Sequence, residues 1–199
     1  MGSQNLVAVL GIVTAVGSMI SMALCPLLIK KLNERNAYIL LSVYGFAASI
    51  FSFVIGHFWF QSPKNMVLTV LFYASLFLIG LQFGAVTLMP MIMTADAVDY
   101  YEYETGKRME GACYSILTLT IKVCLALGTA VGLIFVQKSG YYESLTAGTF
   151  TTKTKDIIFF AYTALPGILA LISIFPMFKY DIVGEKKAKI SSELAARRK

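Results

Sequence analysis

Five apolar runs, at residues 6–29, 37–56, 67–93, 111–137 and 157–178, constrain this chain more than any other feature. The hydrocarbon core of a bilayer is about 30 Å thick, and a helix rising about 1.5 Å per residue crosses it in about 20 residues. Each run reaches that length. Of the 199 residues, 57% are hydrophobic and only 14% are charged, where soluble domains carry about 25% charged residues. The expected fold class is therefore all-α integral membrane, with five transmembrane helices and a charged tail at 179–199. The first run is too long for a signal-peptide h-region and has no basic segment before it, so no cleavable leader is expected. The net charge of +6 does not point to nucleic acid, because the basic residues cluster at the ends of the apolar runs.

Within the first run, Gly11, Thr14, Ser18, Ser21 and Cys25 recur at spacings of three and four. Such a small-residue stripe lets membrane helices approach closely, and packing is the expected role. A polar turn at 32–36 leads into the second run, which ends in His57-Phe58-Trp59-Phe60-Gln61-Ser62-Pro63. That segment reads as an aromatic belt at headgroup level, with His57 an interface residue rather than a proton relay. The third run carries Gln82, Thr87 and Pro90; Pro90 must interrupt the hydrogen-bond ladder, which lipid-embedded helices tolerate where neighbours satisfy the freed groups. Cys25, Cys113 and Cys124 have no metal-ligand or paired spacing and read as packing residues. A polar hairpin occupies 138–155, and Pro166-Gly167 is the expected bend of the fifth run. In the tail, Ile190 and Leu194, four apart, leave an amphipathic helix and a solvated tail equally open.

The chemistry concentrates between Asp96 and Lys122. Asp96, Asp99, Glu102, Glu104 and Glu110 stand against Lys107 and Arg108, a surplus of negative charge between two apolar runs. Acids three apart on a helix share a face, and the chain offers them few evident cationic partners. In the fourth run, steps of 100° place Gly111, Ser115, Thr118, Lys122, Ala126, Thr129 and Gly132 within about 60° of one line. Lys122 lies about 16 Å from the nearer end of that run, too deep for easy snorkelling. An ammonium at that depth costs several kcal/mol, roughly, unless it faces protein, water or an ion partner, and it marks a functional site. A buried lysine beside a patterned acidic segment reads as the moving core of a membrane transporter.

Counting basic residues by side puts 12 with the 30–35 turn, the 107–108 loop and the tail, and 4 on the opposite side. By the positive-inside rule the tail is cytoplasmic and the N-terminus outside, in a plasma (inner) membrane. An odd number of spans beginning outside suggests a truncated chain.

The run Ala95-Asp96-x-x-Asp99-Tyr100-x-Glu102-Tyr103-x-Thr105-Gly106-x-Arg108-x-Glu110-Gly111, followed by Tyr114-Ser115 and Lys122, resembles the glycoside–pentoside–hexuronide:cation symporter family, the melibiose permease-like branch of the major facilitator superfamily. The resemblance implies helices eight to twelve of twelve, that is, part of the C-terminal half. It implies uptake of a sugar or glycoside coupled to sodium or a proton, with no further cofactor. Cation-binding carboxylates would lie in the N-terminal half, supplied by polypeptide outside this chain or by a partner. Lys122 then matches the lysine that faces those carboxylates, and Thr118 matches a cavity position. Asp96, Asp99 and Arg108, with Glu102 and Glu110, match an ionic gate on the cytoplasmic side. The 30–35 turn resembles a degenerate facilitator loop, with Asn33 in the usual place of glycine; asparagine also tolerates the left-handed conformation. Thr87 replaces an aromatic residue of the melibiose branch.

Two other readings compete: a lipid or lysolipid carrier of the same superfamily, and a membrane scaffold or accessory subunit without transport of its own. An enzyme is not expected, since there is no Ser–His pairing, HExxH or phosphate-binding glycine loop.

Overall fold

The computed structural model describes residues 4–62 and 64–197, with side chains from Gly11 onward. Pro63 of the aromatic run, Arg198 and Lys199 of the tail, and the side chains of Leu6 to Leu10 lie outside the described residues. The chain is helical: α1 Gln4–Gln61, α2 Met66–Thr105, α3 Glu110–Lys138, α4 Tyr141–Ala147, α5 Thr152–Tyr162, α6 Ala164–Ile172, α7 Ile174–Met177 and α8 Gly184–Arg197. Among the described residues, 4 helical stretches are long and apolar enough to cross a membrane: Gly11–Gln61, α2, α3 and Thr152–Met177.

The first of these covers two of the expected spans. At 51 residues it would be about 75 Å long if straight, more than twice the hydrocarbon thickness. It breaks at Asn33, where φ is 62° and ψ is 163°. The positive φ matches the expectation for this position, but ψ is extended, so the residue reverses the chain without a left-handed helical turn. Both limbs of α1 then lie along α2. Thr14 and Ser18 of the first limb meet Gly80 and Gly84, running parallel. Tyr44 and Ser52 of the second limb reach Leu78 and Ser75, running antiparallel. A Cβ on Gly17 would stand 2.6 Å from the Phe77 carbonyl oxygen, and one on Gly80 would collide with the Thr14 carbonyl. Ser21 and Cys25, of the same stripe, are buried against the neighbours.

Several polar atoms inside this three-helix layer find one another, as favoured where water is absent, although the buried Ser42 hydroxyl has no partner among the described residues. The Tyr44 hydroxyl donates to the Leu78 carbonyl at 3.0 Å, and Ser52 and Ser75 share a hydrogen bond of 3.0 Å.

The fifth span is not one helix. It breaks at Thr163 and again at Ser173. Pro166 has no N–H to give to Tyr162 and its ring crowds that carbonyl, so the break precedes the expected bend at Pro166-Gly167. The segment packs antiparallel on the second limb of α1, with Gly167 against Ser49, Gly56 against Phe159, and Tyr38 donating to Ser173 at 2.8 Å. The 138–155 hairpin contains its own short helix, α4. No residue of α3 is buried; near its end Phe135 lies 6.2 Å from Phe160 of α5, centroid to centroid.

Candidate functional site

The acidic cluster is not a loop. Helix α2 continues twelve residues beyond the third apolar run, through Asp96, Asp99 and Glu102, before Gly106 (φ 69°) caps it and donates its N–H to the Glu102 carbonyl. Glycine takes this left-handed cap position without a Cβ penalty. The turn brings Arg108 back onto the helix, where Nη1 donates to Glu102 Oε2 at 2.9 Å and to Asp99 Oδ1 at 3.4 Å, and Nε donates to Glu110 Oε2 at 3.1 Å. Four of the five expected gate residues therefore meet around one guanidinium. The bonds to Glu102 and Glu110 raise the Arg108 pKa further above its usual range.

Asp96 belongs to a different assembly. Its carboxylate is buried, with side-chain exposure of 8%, and pairs with Lys187 of α8 at 2.7 Å. The same ammonium donates to Glu34, in the turn between the limbs of α1, at 2.6 Å. The Tyr180 hydroxyl donates to Asp96 Oδ2 at 3.1 Å. The expectation that the chain offers these acids few cationic partners is thus corrected for Asp96: besides the Arg108 already evident in the segment, Lys187 of α8 supplies a second cation from within the chain. Burial works against the Lys187 charge, but hydrogen bonds to Asp96 and Glu34 outweigh it and leave the pKa raised. Burial, followed by the Asp96 charge, pushes the Tyr180 hydroxyl far above its ordinary range, so it stays a donor.

Helix α8 is the amphipathic alternative of the two open for the tail. Lys187, Ile190 and Leu194 lie at spacings of three and four, hence on one face, and Ile190 and Leu194 are 4% and 3% exposed. Around this seam, Lys186 donates to Asp181 at 2.6 Å and stands 4.9 Å over the Tyr100 ring. Arg197 donates to the Tyr103 carbonyl at 3.1 Å. Sequence reasoning missed Lys187, Glu34 and Tyr180. The one available signal was Lys187 sharing the Ile190–Leu194 face.

On α3, the face computed from the sequence is open. Gly111, Tyr114, Ser115, Thr118, Leu119 and Lys122 line a shallow concavity of about 400 Å³. Thr118 donates its hydroxyl to the Tyr114 carbonyl at 2.8 Å, leaving its oxygen lone pairs turned outward as acceptors. Lys122 is exposed and stands in no ion pair among the described residues. The structure brings Lys122 and Thr118 together but keeps them apart from the gate residues. At the other end of the bundle, His57 Nδ1 lies 2.9 Å from Asp156 Oδ2 and Nε2 lies 2.8 Å from Gln61 Nε2. The Gln61 amide donates to Nε2, so the Nδ1 proton goes to Asp156, an assignment made from the hydrogen-bond pattern. His57 thus ties the end of α1 to α5, and Trp59 stacks on Phe72 at 4.5 Å beside it.

A family model described as MFS/sugar transport protein matches residues 1–184. Among curated proteins, the chain is 27% identical, over 83% of its length and 58% of the relative's, to an uncharacterized 29.9 kDa protein of Pseudescherichia vulneris. It is 24% identical, over 92% of its length and 38% of the relative's, to a glucuronide carrier protein homolog of Escherichia coli. It is also 24% identical, over 98% of its length and 39% of the relative's, to a putative sulfoquinovose importer of Escherichia coli. The chain therefore spans well under two thirds of these relatives. No solved structure matches it.

Proposed function

Because this chain belongs to the MFS/sugar transport protein family and is a multi-pass membrane protein, we propose that it acts in symport of a sugar or glycoside coupled to sodium or protons. The relatives named as a glucuronide carrier homolog and a sulfoquinovose importer support an oxygen-rich, acidic sugar as the substrate class. We assign coupling to Lys122 and Thr118, and gating to Asp96, Asp99, Glu102, Arg108 and Glu110. The tail then faces the cytoplasm of a plasma (inner) membrane and the N-terminal end faces outward.

One observation carries this reading: no residue on the polar face of α3 is buried, and the ammonium at mid-helix has no counter-charge among the described residues. In hydrocarbon such a group requires an anion or water. A carboxylate contributed by polypeptide on the other side of the transport pathway meets that need. Lys122 pairs with it when the coupling cation is absent and yields when the cation arrives, while the Arg108 cluster makes and breaks contact as two halves rock around a midplane site. In cells expressing the transporter, Lys122→Ala is expected to abolish accumulation of labelled glycoside while membrane insertion stays normal. Wild-type accumulation by that variant would remove Lys122 from the mechanism. Vesicles holding the 199-residue chain by itself are expected not to accumulate sugar, since the α3 face then has no opposite wall.

A further inference from the structure

We propose that the groove between the two limbs of α1 and the middle of α2 holds an acyl chain of an anionic phospholipid, with its headgroup on Lys31. The groove has a volume of about 490 Å³ and is lined by Ser21, Leu24, Leu28, Lys31, Leu41 and Leu81, among others. Ser21, Leu24, Leu28 and Lys31 recur every three or four residues, so they form one helix face. That face rises about 15 Å from Ser21 to Lys31, giving a slot along the helix axis that is apolar at depth and cationic at its mouth. Tyr44 also lines it, but its hydroxyl is used by the Leu78 carbonyl, so the wall presents carbon.

The local charge identifies the occupant. The turn at the mouth carries Lys30, Lys31 and Arg35 and one acid, Glu34. Glu34 is buried, does not line the groove and is bound to Lys187, so it does not offset the basic residues there. None of Lys30, Lys31 and Arg35 stands in an ion pair among the described residues. A site of this size suits an apolar ligand with few polar anchors, and basic pockets between membrane helices near the surface take anionic headgroups. A zwitterionic lipid would satisfy the slot but leave the charge uncompensated.

The test uses the purified, delipidated full chain in detergent, offered equal amounts of dioleoyl phosphatidylglycerol and dioleoyl phosphatidylcholine, with retained lipid counted by native mass spectrometry. Phosphatidylglycerol is expected to be retained several-fold over phosphatidylcholine. Lys31→Gln should lower its retention about fivefold, the contribution of one basic side chain at an anionic surface. Lys30→Gln, outside the groove, should lower it by less than half as much. Leu24→Trp should block the slot and remove retained lipid with helix content unchanged. If that variant loses helix, Lys31→Arg (retention kept) against Lys31→Glu (retention lost) carries the same decision. Equal retention of both lipids would overturn the proposal. So would equal losses from Lys30→Gln and Lys31→Gln with Leu24→Trp unaffected, which would mean diffuse surface charge. A dimer that Leu24→Trp dissociates, with no phosphatidylglycerol bound to the wild type, would assign the groove to a second copy instead.

Discussion

Replacing Lys187 by alanine isolates the contact that fastens α8 to the bundle. The ammonium lies 2.6 Å from Glu34 and 2.7 Å from Asp96, and both carboxylate side chains are 8% exposed. Without it, two acids remain close together and nearly shielded from water. Removing one partner of a fully buried pair costs about 3–5 kcal/mol. Lys187 itself keeps 36% of its side-chain surface in solvent, and Tyr180 still donates to Asp96, so the cost here is about 2 kcal/mol. If α8 opens locally, that corresponds to roughly 30-fold faster hydrogen exchange over 184–197. Hydrogen–deuterium exchange with mass spectrometry on the chain in nanodiscs reads this directly. Combining Lys187→Ala with Glu34→Gln and Asp96→Asn should restore at least half of the lost protection, because the uncompensated charges are then gone. Unchanged exchange in the single variant, or no recovery in the triple variant, would refute the claim that charge compensation holds the helix.

The same clamp predicts a pH profile. A cation whose folded pKa is raised stabilises fully below the ordinary lysine value, about 10.4, and loses that contribution as pH rises through the folded value. With the Lys187 pKa raised, a spin label at Ala195 should stay equally immobilised from about pH 7 to 9 and loosen only above about 10.4; release below pH 9 would contradict the assignment. Gly80→Ala should push the first limb of α1 off α2 and cost about 1–3 kcal/mol, read as a lower melting temperature of the chain in detergent. Gly128→Ala, at a position with nothing within 4 Å, should leave that temperature unchanged or slightly raised. Asn33→Gly should stabilise by about 1 kcal/mol, because φ 62° with ψ 163° is a region that only glycine enters freely; a lower melting temperature would show that the asparagine side chain matters more than the strain.

Much was legible from residue order alone. The apolar runs dictated membrane helices because hydrocarbon leaves the backbone no partner except itself. The face of α3 with Thr118 and Lys122 followed from 100° steps, and the reversal at Asn33 from a polar turn between two runs that are each long enough to span. The small residues of the first run marked a close helix contact, which Gly80 and Gly84 of α2 provide. These features are local, or depend on one periodicity at a time.

What the tertiary structure decided is which charges meet. Lys187 and Glu34 are 153 residues apart in sequence, and the Tyr180 hydroxyl reaches Asp96 across 84. No spacing rule reaches across such distances, since ion-pair choice depends on where whole helices come to rest. The tail was ambiguous for the same reason: Ile190 and Leu194 make an amphipathic face only when the end of α2 and the turn of α1 are there to receive it. Likewise the groove beside Lys31 exists because the two limbs of α1 and the middle of α2 pack without filling the space between them. Composition and periodicity settle what a segment prefers; the partners of a charge and the shape of a void are properties of the assembled bundle.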